Sequence, residues 1–265
     1  MGRVLRWIGL SLGVLLVAGA CVLCVVLRAR RAEAGAVEQI SPDVYHVHNF
    51  LTDIYAAHVG GQVVLFDAGM DPDGLAIDRL LEALGAGRNA VTDIFLTHAH
   101  FDHVAAADLY PNARVHIGAE DAAMLAQRVP TEPITPRLFG AIFGTTEVEA
   151  SDRLEGESAI GVGAGKSVLA IPFPGHTPGS FLFLFDGTLF TGDSILLEAG
   201  KLTPANPKYS MNAEENRRSI SRLTDVMREA RIDVVCTGHM GCTKAEQTRG
   251  LLEALIRSAK STQPI

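Results

Sequence analysis

The chain has 265 residues, enough for a large buried core, and carries 23 basic and 30 acidic residues. Five of the basic residues (Arg3, Arg6, Arg28, Arg30 and Arg31) fall in residues 1–31, which hold no acid, so the rest has 18 against 30, a net charge of −12 with neutral histidines. A surface that acidic repels nucleic-acid backbones, and no Lys/Arg cluster offers a local exception, which disfavours nucleic acid as a partner.

Trp7 to Leu27 is uninterrupted by charge and long enough to cross a bilayer as a helix. Ala18-Gly19-Ala20 before Cys21 resembles a lipoprotein processing site, but the apolar run continues past it, so an uncleaved signal anchor is the better reading. Arginines flank both ends and leave the orientation open. The expected organisation is a membrane anchor over 1–31, a linker over 32–41 and one domain over 42–265. Cys21 and Cys24 have C-x-x-C spacing inside the apolar run, without the βαβ context of a redox motif. Cys236 ends an apolar run and reads as a core residue, and the four cysteines do not suggest a disulfide framework.

After the linker, Asp43 to His48 alternates as a strand does, and Ile54–Val59, Gly60-Gly61 and Gln62–Phe66 read as a hairpin. Asp73 is placed to cap a helix over Gly74–Leu84, with Leu75, Leu80, Leu81 and Leu84 on one face. Asp93–Thr97 is a short buried strand running directly into His98, and Arg114–Ile117 is another. Ala119–Gln127 looks helical, and Pro130, Pro133 and Pro136 then break the chain before an apolar Leu138–Phe143. Gly161-Val-Gly-Ala-Gly-Lys-Ser imitates a phosphate-binding loop, but Ile160 holds the place of its first glycine, so a turn is expected. Phe181–Phe185, Asp186-Gly187 and Thr188–Thr191 form a second hairpin; Asn212 caps a helix to Ala230; Asp233–Cys236 is a strand and Ala245–Ala259 a final helix.

The chemistry concentrates in residues 97–103, Thr-His-Ala-His-Phe-Asp-His, where four ligand-type side chains follow a buried strand. Imidazole and carboxylate are donors that zinc accepts, about four per ion. Further candidates each sit beside a glycine in a turn: His176 in Pro-Gly-His-Thr-Pro-Gly, Asp193 in Thr-Gly-Asp and His239 in Thr-Gly-His. His46, His48, His58 and His116 fall in strands and read as structural.

This ordered set, His-x-His-x-Asp-His, Gly-His-Thr-Pro-Gly-Ser, Thr-Gly-Asp and Gly-His, resembles the metallo-β-lactamase-fold superfamily of metallohydrolases over about residues 42–242. The resemblance implies an α/β fold, an αβ/βα four-layer sandwich, with the site on loops at one edge of the sheets. It implies two divalent metal ions, zinc by preference and iron as the alternative. His98, His100 and His176 would hold one, Asp102, His103 and His239 the other, and Asp193 would bridge them. Asp102 and Asp193 are then the catalytic carboxylates, and Asp67, in Phe-Asp-Ala-Gly, would orient a ligand. Asp53, which has no ligand role in the family pattern, is expected to tolerate asparagine.

The superfamily's true β-lactamases usually lack the bridging aspartate. Asp193 therefore makes the chain more similar to glyoxalase II and the acyl-homoserine lactonases. The implied activity is hydrolysis of an ester, thioester or lactone by a hydroxide shared between the ions, on a small-molecule substrate, at a membrane. The alternative is a mononuclear iron enzyme like the persulfide dioxygenases, which share Gly-His-Thr-Pro-Gly-Ser. Walls for the substrate are sought in His48–Asp53, Pro130–Phe143 and Pro204–Met211. Oligomeric state is open.

Overall fold

The computed structural model describes residues 34–144 and 146–261, together with Val17, Gly19, Ala20, Cys21, Leu23 and Cys24. The Trp7–Leu27 span lies largely outside these residues, and among the described residues no helix is long and apolar enough to cross a membrane.

Two sheets form the centre. The first has seven strands in chain order: β1 (Val37–Ser41), β2 (Val44–Asn49), β3 (Thr52–Val59), β4 (Gln62–Phe66), β5 (Val91–Phe95), β6 (Arg114–Gly118) and β7 (Asp152–Leu154). Its first four strands are antiparallel, and β4 to β7 pair in parallel. The second sheet is built from β8 (Ser158–Gly161), β9 (Ser167–Pro172), β10 (Phe181–Phe185), β11 (Thr188–Phe190) and β14 (Val234–Cys236), in the order β14-β11-β10-β9-β8. A separate two-stranded ribbon joins β12 (Ile195–Glu198) to β13 (Lys201–Pro204).

The twofold period of a strand explains the layers. In β4, Val64 and Phe66 enter the core between the sheets, while Val63 and Leu65 face the opposite way, into the core that holds Ile77, Leu80 and Leu81 of helix α1 (Leu75–Ala83). In β10, Phe181, Phe183 and Phe185 meet Phe66 and Phe95 between the sheets. Leu182 and Leu184 point outward, to Ile220 and Leu223 of the helix Ala213–Glu229 and to Leu252, Leu255 and Ile256 of the helix Ala245–Ser261. The three apolar layers make an αβ/βα sandwich, as expected.

Several boundaries differ from expectation. Val37–Ser41, assigned to the linker, is an edge strand paired with β2, because Val37 and Ile40 find apolar neighbours there. Helix α1 is held at its start by Asp71 and not by Asp73: the Asp71 carboxylate accepts the N–H groups of Leu75 (2.7 Å) and Asp73 (3.0 Å). The helix expected over Ala119–Gln127 shrinks to Ala122–Leu125. The segment expected to be broken by prolines contains a helix, Ile134–Phe143, because Pro136 lies in its first turn, where no intrahelical N–H is needed. Cys236 and Cys242 form a disulfide that the sequence reading did not anticipate, since the chain turns back after β14 and brings their Cα atoms to 4.1 Å. Gly161–Ser167 is the expected turn, closing the β8–β9 hairpin. The Asn212 cap is also as expected, with Glu215 N–H donating to its side chain at 3.0 Å.

Candidate metal centre

Strand direction gathers the ligand-type residues. β9 and β11 both run antiparallel to β10, and β11 runs parallel to β14, so β9, β11 and β14 all end at one edge of the second sheet. His176, Asp193 and His239 follow those ends. The first sheet adds residues 97–103 beyond β5, and the Phe181 N–H donates to the Thr97 carbonyl (2.9 Å), fastening the two edges together. All seven predicted residues therefore meet. They form three overlapping groups, His98–His100–His176, His98–His103–Asp193 and Asp102–His103–His239, each with ligand atoms within 4.8 Å of one another.

Asp193 lies between the clusters. One of its oxygens is 3.8 Å from His176 Nε2 and the other 3.4 Å from His103 Nε2, while His239 Nε2 stands 3.1 Å and 3.0 Å from the two. Asp102 stands 3.7 Å from His239 Nε2. Gly238 could be nothing larger: a Cβ there would lie 2.6 Å from Asp193 Oδ1 and 2.7 Å from His103 Cε1.

Hydrogen bonds on the far side of each ring fix which nitrogen faces inward. His103 Nδ1 donates to Asp67 (2.8 Å) and His239 Nδ1 to the Leu51 carbonyl (2.6 Å). His100 Nε2 donates to the Glu132 carbonyl (3.1 Å). The Thr97 hydroxyl is spent on Asp67 and that of Ser210 on the Asn206 carbonyl, so each accepts from a histidine, His98 Nδ1 (3.1 Å) and His176 Nδ1 (3.2 Å). Three imidazoles, those of His98, His100 and His176, thus turn an unprotonated nitrogen toward one space, and His103 and His239 turn Nε2 toward Asp193 beside it. His176 Nε2 approaches His98 Nε2 to 3.2 Å and His100 Nδ1 to 3.0 Å, a convergence of lone pairs that suits a cation. Among the described residues, the buried His103 Nε2 has no hydrogen-bond partner.

Ionisation fits the same picture. Burial, then the neighbouring histidines, holds His98 well below the usual imidazole range, and burial with His100 brings His176 down to about 3. Burial also lowers His100. These three are neutral donors. Around Asp193 the signs reverse. Burial opposes ionisation, but the facing His239 and His103 hold the Asp193 carboxyl well below its usual value. Burial likewise works against a charged His239, yet Asp193 raises it to about 9, and Asp67, Asp193 and Asp102 raise His103 well above normal. This side presents the negative charge that a second cation would neutralise.

The supporting residues include two whose roles the sequence did not disclose. Asp67, expected near the site, adopts a left-handed backbone (φ 60°) and accepts from Thr97 N–H (2.7 Å) as well as from His103. Asp121 was missed. It is fully buried and accepts from Ala99 N–H (3.0 Å), Gly179 N–H (2.8 Å) and the Thr177 hydroxyl (2.7 Å), tying the His98–His100 turn to the His176 turn. Burial pushes its carboxyl up to about 6 against those three bonds. Asp53 is not the inert neighbour expected. It is 2% exposed, its N–H donates to the Gly238 carbonyl (2.8 Å) and its carboxylate accepts from Gly241 N–H (2.6 Å), so it grips both sides of His239. His46 and His48 each place a nitrogen 2.8 Å from Asp53. His116 is structural as expected, buried between Asp93 (2.8 Å) and Asp152 (3.1 Å).

A cavity of about 470 Å³ opens over the cluster, bounded at its base by His100, Asp102, His176, Asp193 and His239. All three expected wall segments contribute, through Phe50 and Leu51, Pro136, Phe139 and Phe143, and Asn206 and Tyr209. His48 and Phe101 also line it, as do Leu196, Glu198 and Met240, which no local motif in the sequence marks.

Residues 50–239 match the metallo-beta-lactamase superfamily, and the chain belongs to that family of metal-dependent hydrolases. It is 33% identical over 193 residues to the uncharacterized protein YobT of Bacillus subtilis (strain 168), covering 66% of this chain and 79% of that one. It is 32% identical over 185 residues to a hydroxyacylglutathione hydrolase of Fuscovulum blasticum, covering 68% of this chain and 58% of the relative. In three dimensions it is similar to a metallo-beta-lactamase family protein from Thermus thermophilus, with a TM-score of 0.63 and 22% identity, covering 84% of this chain and 81% of the other.

Proposed function

We propose that the protein is a membrane-anchored hydrolase that holds two divalent cations, zinc by the chemistry of its donors, and cleaves an ester, thioester or lactone. The observation that carries this reading is the convergence of one nitrogen from each of five histidines, every ring fixed by an outward hydrogen bond, with Asp193 between the two groups. His98, His100 and His176 would hold one cation and Asp102, His103 and His239 the other, with Asp193 between them. Zinc suits a set made only of imidazole and carboxylate, and seven ligands exceed one tetrahedral shell. Two such cations would supply the charge that acidifies a water at neutral pH and polarises the scissile carbonyl. The chain's own part is to place that charge. Asp193 would offset the repulsion between like cations. Asp102, half-buried at the cavity floor, accepts a hydrogen bond from the attacking water and turns it toward the carbonyl carbon. The apolar walls exclude competing water and seat the acyl part.

Similarity to a hydroxyacylglutathione hydrolase supports a thioester or a related acyl substrate. Anchoring rests on the uncharged run Trp7–Leu27. The test is a panel of thioesters, lactones and phosphodiesters given to the metal-loaded protein and to Asp193→Asn. The substitution keeps the side chain's size but removes its charge. Acyl substrates should be turned over, and Asp193→Asn should lose one cation and slow turnover by orders of magnitude. Near-normal stoichiometry and rate in Asp193→Asn would refute the bridge, since an aspartate that merely closed a turn is well replaced by asparagine.

A further inference from the structure

The helix Ile134–Phe143 is turned inside out relative to an ordinary surface helix. Its buried positions carry Pro136 and Gly140, while Ile134, Leu138 and Ile142 are 64%, 58% and 43% exposed. Those three are spaced four apart, so they stack as one apolar ridge along the helix. The neighbouring stripe carries Phe139 and Phe143, which line the cavity over the metal centre, where Phe101 and Phe143 stack at 5.7 Å between ring centroids. On the other walls, Leu51 and Met240 both line the cavity and stand 50% and 59% exposed. Isolated exposed apolar residues are ordinary; a ridge that continues into the mouth of a cavity marks a surface that something covers.

The way the chain reaches the domain indicates the occupant. Residues 28–34 separate the uncharged run Trp7–Leu27 from Gly35, whose N–H donates to the His48 carbonyl at 2.9 Å, and His48 lines the cavity. Seven residues span about 25 Å at most. A domain tethered so briefly, and at the cavity rim, keeps that rim beside whatever surface the apolar run enters. The charge of −12 outside residues 1–31 gives the domain as a whole no attraction to anionic lipid, so the ridge's own contact is apolar.

We propose that the ridge Ile134–Leu138–Ile142 and the cavity rim seat on a zwitterionic lipid bilayer, and that the cavity receives from it the apolar chain of a long-chain acyl ester. The docking follows from the ridge and the tether; the choice of substrate rests on the hydrolase reading. The apolar chain would lie along Phe101, Phe139 and Phe143, and its ester would reach the floor at Asp102 and Asp193.

Docking is tested in the full-length chain. Its single tryptophan, Trp7, is replaced (Trp7→Phe) and a reporter is placed on the ridge (Leu138→Trp). In phosphatidylcholine vesicles the emission should shift to the blue and be quenched by brominated but not by ordinary phosphatidylcholine. Unshifted, unquenched emission would overturn the docking. Delivery is tested with full-length Leu138→Glu/Ile142→Glu, neither position lining the cavity. Cleavage of a long-chain ester carried in the vesicle should fall tenfold or more, while cleavage of a short water-soluble ester stays unchanged. An equal effect on both esters would overturn delivery. If the unaltered protein, loaded with zinc, cleaves neither ester but does cleave a thioester or lactone, the acyl-ester substrate is overturned and the hydrolase reading stands; if it cleaves none of these, the hydrolase reading fails, and the tryptophan measurement still decides the docking.

Discussion

Asp53 shows how a single carboxylate can act on a site it does not touch. It holds the backbone on either side of His239, while His239 leans its outer nitrogen on Leu51, in the same hairpin as Asp53. Asn in its place offers one acceptor where two histidines and Gly241 now converge. Asp53→Asn should therefore weaken binding of the cation at the His239 cluster by about 10–100-fold, which chelator competition would measure, and leave the His98–His100–His176 cluster much less affected. Unchanged affinity at both clusters would mean that the carboxylate's grip on Gly241 is dispensable. The same residue has a pH signature. Burial opposes its ionisation, but His46, His48 and the Gly241 N–H hold its folded pKa below 3.8. A depressed pKa contributes stability that is full above the unfolded value and is lost as pH falls through the folded one. The stability gap between the wild type and Asp53→Asn, from urea unfolding without metal, should be full at neutral pH and shrink below pH 3.8.

At the scale of elements, the loop after β14 carries His239 and is closed by the Cys236–Cys242 disulfide, six residues apart. Cross-linking so short a loop stabilises by about 2 kcal/mol through the unfolded chain. Cys236→Ala/Cys242→Ala should lower the unfolding free energy by about that amount and loosen the His239 turn, seen as faster amide exchange at residues 237–241. Wild-type exchange there would show that Asp53 alone fixes the loop. The disulfide was invisible in sequence because Cys236 ends an apolar run and looks like any core residue; only the turn back along β14 pairs it. The same limit hid Asp53 and Asp121, whose partners lie far along the chain: Asp53 bonds Gly241, and Asp121 bonds Thr177 and Gly179. Local patterns were legible. The Gly60-Gly61 hairpin of β3 and β4, the Asp186-Gly187 turn and the Asn212 cap each depend on residues within a few positions. So were the seven ligand-type residues, since their spacing is itself the motif. The proline-rich helix Ile134–Phe143 was not, because its ridge faces outward and leaves no inward apolar face to read.

At the scale of the whole molecule, the sandwich brings three strand ends of one sheet and one of the other to a common edge, and the candidate metal centre lies across the gap between them. Metal should therefore stabilise the two sheets against separation: removing it with a chelator should lower the midpoint of thermal unfolding, and restoring zinc should recover it. The run Trp7–Leu27 should keep the full-length protein in the membrane fraction through a high-salt or alkaline wash, and recovery in the supernatant would contradict anchoring. The central claim, two cations shared through Asp193, is tested most directly by elemental analysis of the purified full-length chain. The account predicts close to two divalent metal ions per chain, zinc foremost, falling toward one in Asp193→Asn. A single iron per chain, with oxygen uptake on a persulfide substrate, would contradict it.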